Sequence, residues 1–261
     1  MKTKIVTTED IYKKVKNYLE TFVHFDTEYQ AALTALYAMF TWVYEMFDRC
    51  PYLQVSGERD TGKTVLVTAL DKICNNSRMI SGDSARGSII QILKQGPGTT
   101  IIDPFIMRPT NFTRELVKFL NFGRVKNQLL HFVVSKTEKK QKSYVEEEYN
   151  PFGPKILVTY DDKHIDSITA MFCLKITLKP VSFSDLSPEQ TFPSTQFIEE
   201  SSKPIREDLQ LWSQRFIDPN RTFGLDFIQE VQNTRSIFMP LLVIVRDTGS
   251  KNLMDLIKKQ G

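Results

Sequence analysis

Apolar positions along this chain follow a helical rhythm and a strand rhythm that alternate up to about residue 180, and only the helical one continues beyond it. From Thr8 to Phe22 they recur at helical spacing, placing Ile11, Val15, Tyr18, Leu19 and Phe22 on one face behind a Thr-Thr-Glu-Asp start. A second helix is predicted from Thr27 to Phe47. Its aromatic residues Tyr37, Phe40, Trp42, Tyr44 and Phe47 make it apolar on more than one side, the pattern of a core helix. Short apolar runs suited to buried strands follow at 52–56, 79–81, 99–103, 154–159 and 172–178. Helical stretches intervene: Lys63 to Lys72, a helix opened by Ser84 that carries Ile89, Ile90, Ile92 and Leu93, and Thr113 to Phe122. Two β-rich runs, Leu129–Ser135 and Ser143–Glu148, predict a hairpin. Residues 180–204, rich in Ser, Pro, Thr and Glu, read as a linker or extended crossover. Amphipathic helices are predicted near 205–217, 222–232, 235–247 and 250–259. Strands alternating with helices, then helices alone, predict an α/β core on a parallel sheet followed by a small α-helical lid.

Composition bounds this picture without changing it. The 261 residues accommodate one large α/β domain and a small appendage, and 41% hydrophobic with 25% charged is ordinary globular composition. A net charge of +3 is too small to point to nucleic acid by itself, so any basic surface has to be local. Cys50, Cys74 and Cys173 show no paired spacing, which argues against a disulfide framework or a zinc site and fits a reducing cytosol. His24, His131 and His164 are equally dispersed. With no long uncharged apolar run and no signal-peptide core, the expectation is a soluble, cytoplasmic protein with no membrane partner.

The chemistry concentrates behind the first strand candidate. Gly57, Glu58, Arg59, Asp60, Thr61, Gly62, Lys63 and Thr64 fit G-x-x-x-x-G-K-[ST], between a predicted strand and a predicted helix. Glycines let such a loop curl so that its N–H groups face phosphate oxygens, and the helix behind it adds the positive end of its dipole. Lys63 would reach the β- and γ-phosphates of ATP, and the Thr64 hydroxyl would bind Mg²⁺. The partner such a loop needs is a carboxylate at the end of a neighbouring strand, and Asp103, closing Thr99–Ile102, is the candidate. The plainer reading of Asp103 is a turn or helix cap after a core strand.

In order and spacing, residues 33–180 resemble the AAA-type ATPases of replication and helicase-like proteins from phages, plasmids and integrative elements. Beside the P-loop and Ile101-Ile102-Asp103, Phe119-Leu120-Asn121-Phe122-Gly123 is similar to that group's Leu-Asn-x-Gly element. Phe152–Thr159 is similar to its Pro-Lys strand, and Met239-Pro240-Leu241-Leu242 to a motif of its helical lid. The resemblance implies a three-layer P-loop NTPase core (AAA-like) at 51–180. An N-terminal helical segment at 1–50 would precede it, and a linker at 181–204 and a C-terminal helical lid at 205–261 would follow. It also implies ATP and Mg²⁺ as cofactors, Asp103 and Thr159 as catalytic groups with Thr64 and Asp103 at the metal, a DNA partner and a homo-oligomer. Thr159 is equally an ordinary strand-end threonine.

Two positions depart from that family. Pro104 stands where a water-activating Glu is expected after the Asp, and the arginine expected just before the last strand falls near Met171 or Phe172. Proline accepts no proton and phenylalanine neutralises no transition-state charge. The chain would therefore hydrolyse slowly, or recruit Glu58, Asp161, Asp162 or a neighbouring subunit's arginine. Lys136, Lys139, Lys140 and Lys142 at the hairpin tip, with Arg124 and Lys126 on the approach, are the nucleic-acid candidates. The alternative is a solvated tip, because Glu138 and Glu146–Glu148 offset the charge. Three classes follow: an AAA-type replication factor of a virus, plasmid or integrated element, a silent nucleotide-binding scaffold, and a P-loop small-molecule kinase. The long helical segments on both flanks disfavour the last.

Overall fold

The computed structural model of the protein describes residues 5–81, 86–105, 111–138, 141–160, 165, 167–191, 193–218 and 237–259. Helix α1 (Thr8–Phe22) starts where the Thr7 hydroxyl accepts from the Asp10 N–H, and α2 (Glu28–Phe40) where Thr27 does the same for Gln30. Every residue of α2 from Ala31 to Phe40 is buried, so its all-round apolar sequence corresponds to a central helix. It ends short of the predicted Phe47, in turns and a 3₁₀ turn at Tyr44–Met46. Tertiary partners claim the residues there: the Trp42 indole N–H donates to the Ile73 carbonyl, and the Thr41 hydroxyl accepts from the Asn75 N–H.

Seven strands follow the predicted runs: β1 (Tyr52–Gly57), β2 (Arg78–Ile80), β3 (Thr100–Ile102), β4 (Leu130–Glu138), β5 (Gln141–Tyr149), β6 (Lys155–Val158) and β7 (Cys173–Leu178). Five of them form one parallel sheet in the order β2-β3-β6-β1-β7, and β4 and β5 pair antiparallel as a separate hairpin. Helices α3 (Lys63–Ile73), α4 (Arg86–Lys94), α5 (Asn111–Gly123) and the short α6 (Ser167–Ala170) connect the strands.

Alternation along the strands divides the core between the two sheet faces. Leu53, Val55, Ile156 and Val158 pack with α1, α2 and α3. Tyr52, Ile102 and Leu157 pack with Ile89 and Ile92 of α4, Leu116, Phe119 and Leu120 of α5, and Leu130 and Phe132 of the hairpin. The result is the expected three-layer α/β architecture of the P-loop NTPase type.

The stretch 180–204 departs from the expected linker. It contains a one-turn helix α7 (Pro188–Thr191), and α8 (Thr195–Phe216) begins inside it, capped by the Ser194 hydroxyl on the Phe197 N–H. Pro204 lies within α8, where sequence rules place a boundary. The helix persists across it because its apolar face, Ile198, Leu209, Trp212 and Phe216, is buried in the main core. Arg206 adds a hydrogen bond to the Lys72 carbonyl and an ion pair to Glu199. Two further helices, Met239–Thr248 and Lys251–Lys258, complete the described chain, the first sharing the core of α1 and α2. The helix predicted near 222–232 lies outside the described residues.

Candidate functional site

Parallel pairing puts the C-terminal ends of β1, β3 and β6 on one edge of the sheet, which is where α/β sheets bind ligands. The Gly57–Thr64 loop leaves β1 there, Thr159 follows β6 directly, and Asp103 follows β3. All three border one cavity of about 590 Å³, with Arg59, Lys63 and Thr64 from the loop and Thr159 and Tyr160 from just past the end of β6.

The loop's conformation depends on its glycines. Gly57 has φ +150°, and a Cβ there would lie 2.4 Å from the Leu178 carbonyl oxygen and 2.8 Å from the Thr61 hydroxyl. Gly62 has φ +85° and precedes the first residue of α3, so the loop enters the helix through a backbone that side chains disfavour. Lys63 Nζ curls back into the loop, donating to the Gly57 carbonyl at 2.6 Å and also to the Glu58 carbonyl. Burial lowers the pKa of this ammonium, while Asp103 and Asp60 oppose the shift. Burial also raises the Asp103 carboxyl pKa, against the pull of Lys63. Each group is thus partly desolvated and feels the other.

The donor set suits the expected ligands. Thr64 and Asp103 offer hard oxygen donors to the same cavity, which matches Mg²⁺ with water filling its remaining positions. The N–H groups of the loop, the start of an eleven-residue helix and the Lys63 ammonium match a polyphosphate.

Several lining residues carry no sequence signal. Phe22, Val23 and His24, at the end of α1, line the cavity, as do Lys179, Val181 and Leu186. The segment read as a linker therefore borders the site. Gln190 of α7 ties it to α1 by donating to the Glu20 carbonyl at 2.8 Å. Gln54, fully buried in β1, donates from Nε2 to the Thr159 hydroxyl at 3.4 Å. Strand order and helix docking together bring these residues to one site.

The remaining candidates lie elsewhere. At the position where the family resemblance calls for arginine, Phe172 carries the guanidinium of Arg124 from just beyond α5, 3.8 Å from the ring centroid. Phe172 accepts from the Tyr52 N–H at the start of β1, so this arginine sits at the sheet edge opposite the cavity. Lys139 and Lys140 lie outside the described residues, as do Asp161 and Asp162 and the side chains of Lys136 and Lys142. The strands that carry the tip pair in register from Leu130↔Tyr149 to Glu138↔Gln141. Along the hairpin, His131 Nδ1 lies 3.5 Å and 3.7 Å from Glu146 and Glu148. Among the described residues, no helix is long and apolar enough to cross a membrane, and no group of three or more His, Cys, Asp and Glu side chains is placed to hold a metal ion.

The fold is a three-layer α/β fold around a parallel five-stranded sheet, of the P-loop NTPase type. No family model matches the chain, and no curated protein matches it. Among solved structures it is similar to the apo C-terminal region of NrS-1, at 17% identity and a TM-score of 0.47 over 76% of this chain. It is also similar to JCV helicase, at 11% identity and a TM-score of 0.43 over 88% of this chain. An inhibitor-bound JCV helicase gives 12% identity and a TM-score of 0.45 over 91%. The chain spans 45% of the NrS-1 structure and 65–66% of these two JCV helicase structures.

Proposed function

We propose that this chain binds ATP with Mg²⁺ at the Gly57–Thr64 loop and acts as a nucleotide-driven, helicase-like factor in DNA replication or maintenance of a virus, plasmid or integrated element. The observation that supports this most directly is the meeting of the loop, Asp103 and Thr159 at one cavity from three parallel strands. In this reading Lys63 exchanges its contacts with the Gly57 and Glu58 carbonyls for phosphate oxygens. Thr64 and Asp103 hold the magnesium, and Thr159 faces the γ-phosphate. The apolar side chains of Val23, Val181 and Leu186 receive the base. DNA meets the basic hairpin tip, and the working form is a homo-oligomer in the cytoplasm.

Removing the Lys63 ammonium removes a charge-assisted hydrogen bond worth about 1.5–3 kcal/mol, or more than tenfold in affinity. Lys63→Ala is therefore expected to weaken ATP and ADP binding, measured by calorimetry, by at least that factor. Thr64→Ala is expected to lose affinity mainly when Mg²⁺ is present. A Lys63→Ala protein that binds both nucleotides like the wild type contradicts the assignment.

A second reading, a nucleotide-binding scaffold without turnover, is favoured by one feature. Pro104 lines the cavity directly after Asp103, where a proton-accepting side chain would serve hydrolysis.

A further inference from the structure

Burying a carboxamide at the centre of a parallel sheet is costly unless its hydrogen bonds are made. Gln54 occupies such a place: it is 0% exposed, in the strand flanked by β6 and β7, between Leu53 and Val55. Its register partner on β6 is Leu157, and the Thr159 N–H donates to the Val55 carbonyl at 2.8 Å. Thr159, directly after β6, is therefore two residues beyond Leu157 and on the same pleat face as the Gln54 side chain. There Gln54 Nε2 donates to Thr159 Oγ1 across 3.4 Å, and Thr159 is itself only 1% exposed while lining the cavity.

A threonine hydroxyl has one proton. When the oxygen accepts from a neighbouring amide, that proton is directed to some other acceptor. We propose that Gln54 is a positioning residue: it fixes the Thr159 hydroxyl as a donor towards the cavity, so that the site senses the terminal phosphate of a nucleoside triphosphate. The inference rests on the nucleotide-binding reading above. A phosphate oxygen is an acceptor only, so a hydroxyl fixed as a donor favours the triphosphate over the diphosphate. The opposite amide orientation would present Oε1 to Thr159, take up its proton and abolish this preference. Gln54→Met fills similar space with neither a donor nor an acceptor amide.

The test is the ratio of ATP to ADP affinity by calorimetry, with thermal unfolding to confirm that each variant is folded. Wild type is expected to prefer ATP. Gln54→Met is expected to lower the ratio severalfold, with ADP affinity unchanged within about twofold. Thr159→Val is expected to lower it by as much, and the Gln54→Met/Thr159→Val double variant no further, because both act through one hydroxyl. A wild-type ratio retained in Gln54→Met, which leaves no ion to bury, overturns the role of Gln54 while the nucleotide site stands. A wild type that binds neither nucleotide overturns both.

Discussion

Lys155 carries an ammonium group into the interior of the sheet. The residue is 1% exposed, and its Nζ donates to the Pro151 and Gly153 carbonyls at 2.9 Å and 3.0 Å. The same nitrogen lies 4.5 Å and 5.1 Å from the ring centroids of Phe119 and Tyr52. A Cβ on Gly123 would meet it at 2.3 Å, so Gly123 leaves the room that the lysine fills. Two stretches that look unrelated in the sequence, Phe119–Gly123 and Phe152–Thr159, are halves of one packing unit. Burial lowers the Lys155 pKa to about 7, against a small opposing influence of the Cys50 thiol. Below that pH both folded and unfolded chains carry the charge, and the folded state bears its full desolvation cost. Above it the folded chain sheds the proton while the unfolded chain retains it up to about pH 10.4, so stability rises with pH. Cys50 and Cys74, whose thiol pKa values burial raises, reverse the trend once unfolded thiols ionise near pH 8.5. Urea unfolding of the wild type is therefore expected to show stability climbing between pH 7 and 8.5, by up to about 1.4 kcal/mol per pH unit. Lys155→Met should flatten the climb; an unchanged slope would show that other groups produce it. Gly123→Ala is expected to cost about 1–3 kcal/mol through overpacking, read from the same unfolding curves.

Among the elements, the β4–β5 hairpin is the one whose role charge decides. Its tip is lysine-rich and its base is acidic, with Glu146 and Glu148 beside His131. Phosphate contacts by lysine are insensitive to sequence and weaken with salt. Reversing Lys139 and Lys140 together should lower DNA affinity uniformly across sequences and flatten its dependence on salt, in fluorescence anisotropy titrations. Nucleotide affinity should stay at the wild-type value. A wild type with no salt-dependent DNA binding at low ionic strength leaves the hairpin as a solvated projection. Helix α8 shows the converse limit of local reasoning. Its proline and its polar start suggested irregular chain, while its buried face, with Trp212 on Phe216 at 4.9 Å, shows that the core determines it.

For the whole molecule, the proposed turnover turns on two positions where the chain departs from the family it resembles. Pro104 follows Asp103, and Arg124 is stacked on Phe172 at the far edge of the sheet. A general base typically contributes 10²–10⁴-fold and an arginine finger about 10³–10⁵-fold. The isolated chain is expected to hydrolyse ATP slowly in a phosphate-release assay, with Pro104→Glu raising the rate. Brisk turnover by the purified chain alone would count against this account. Light scattering with and without ATP then tests whether assembly is linked to the nucleotide.

Local sequence sets which runs are strands, where α1, α2 and α3 begin, that a hairpin lies between 129 and 148, and the loop that only glycine at 57 and 62 can form. Those features follow from periodicity, caps and backbone sterics, which act over a few residues. The pairing of the hairpin extends further towards the tip than the predicted runs, to Glu138↔Gln141. The tertiary structure alone decided the order β2-β3-β6-β1-β7, and with it every long-range meeting. It brought Asp103 and Thr159 to the loop, Gln54 under Thr159, Lys155 against Gly123, and residues 179–191 to the cavity wall. Strand order and helix docking are set by the burial of faces contributed by distant segments, and that energy has no signature in any short window of the chain.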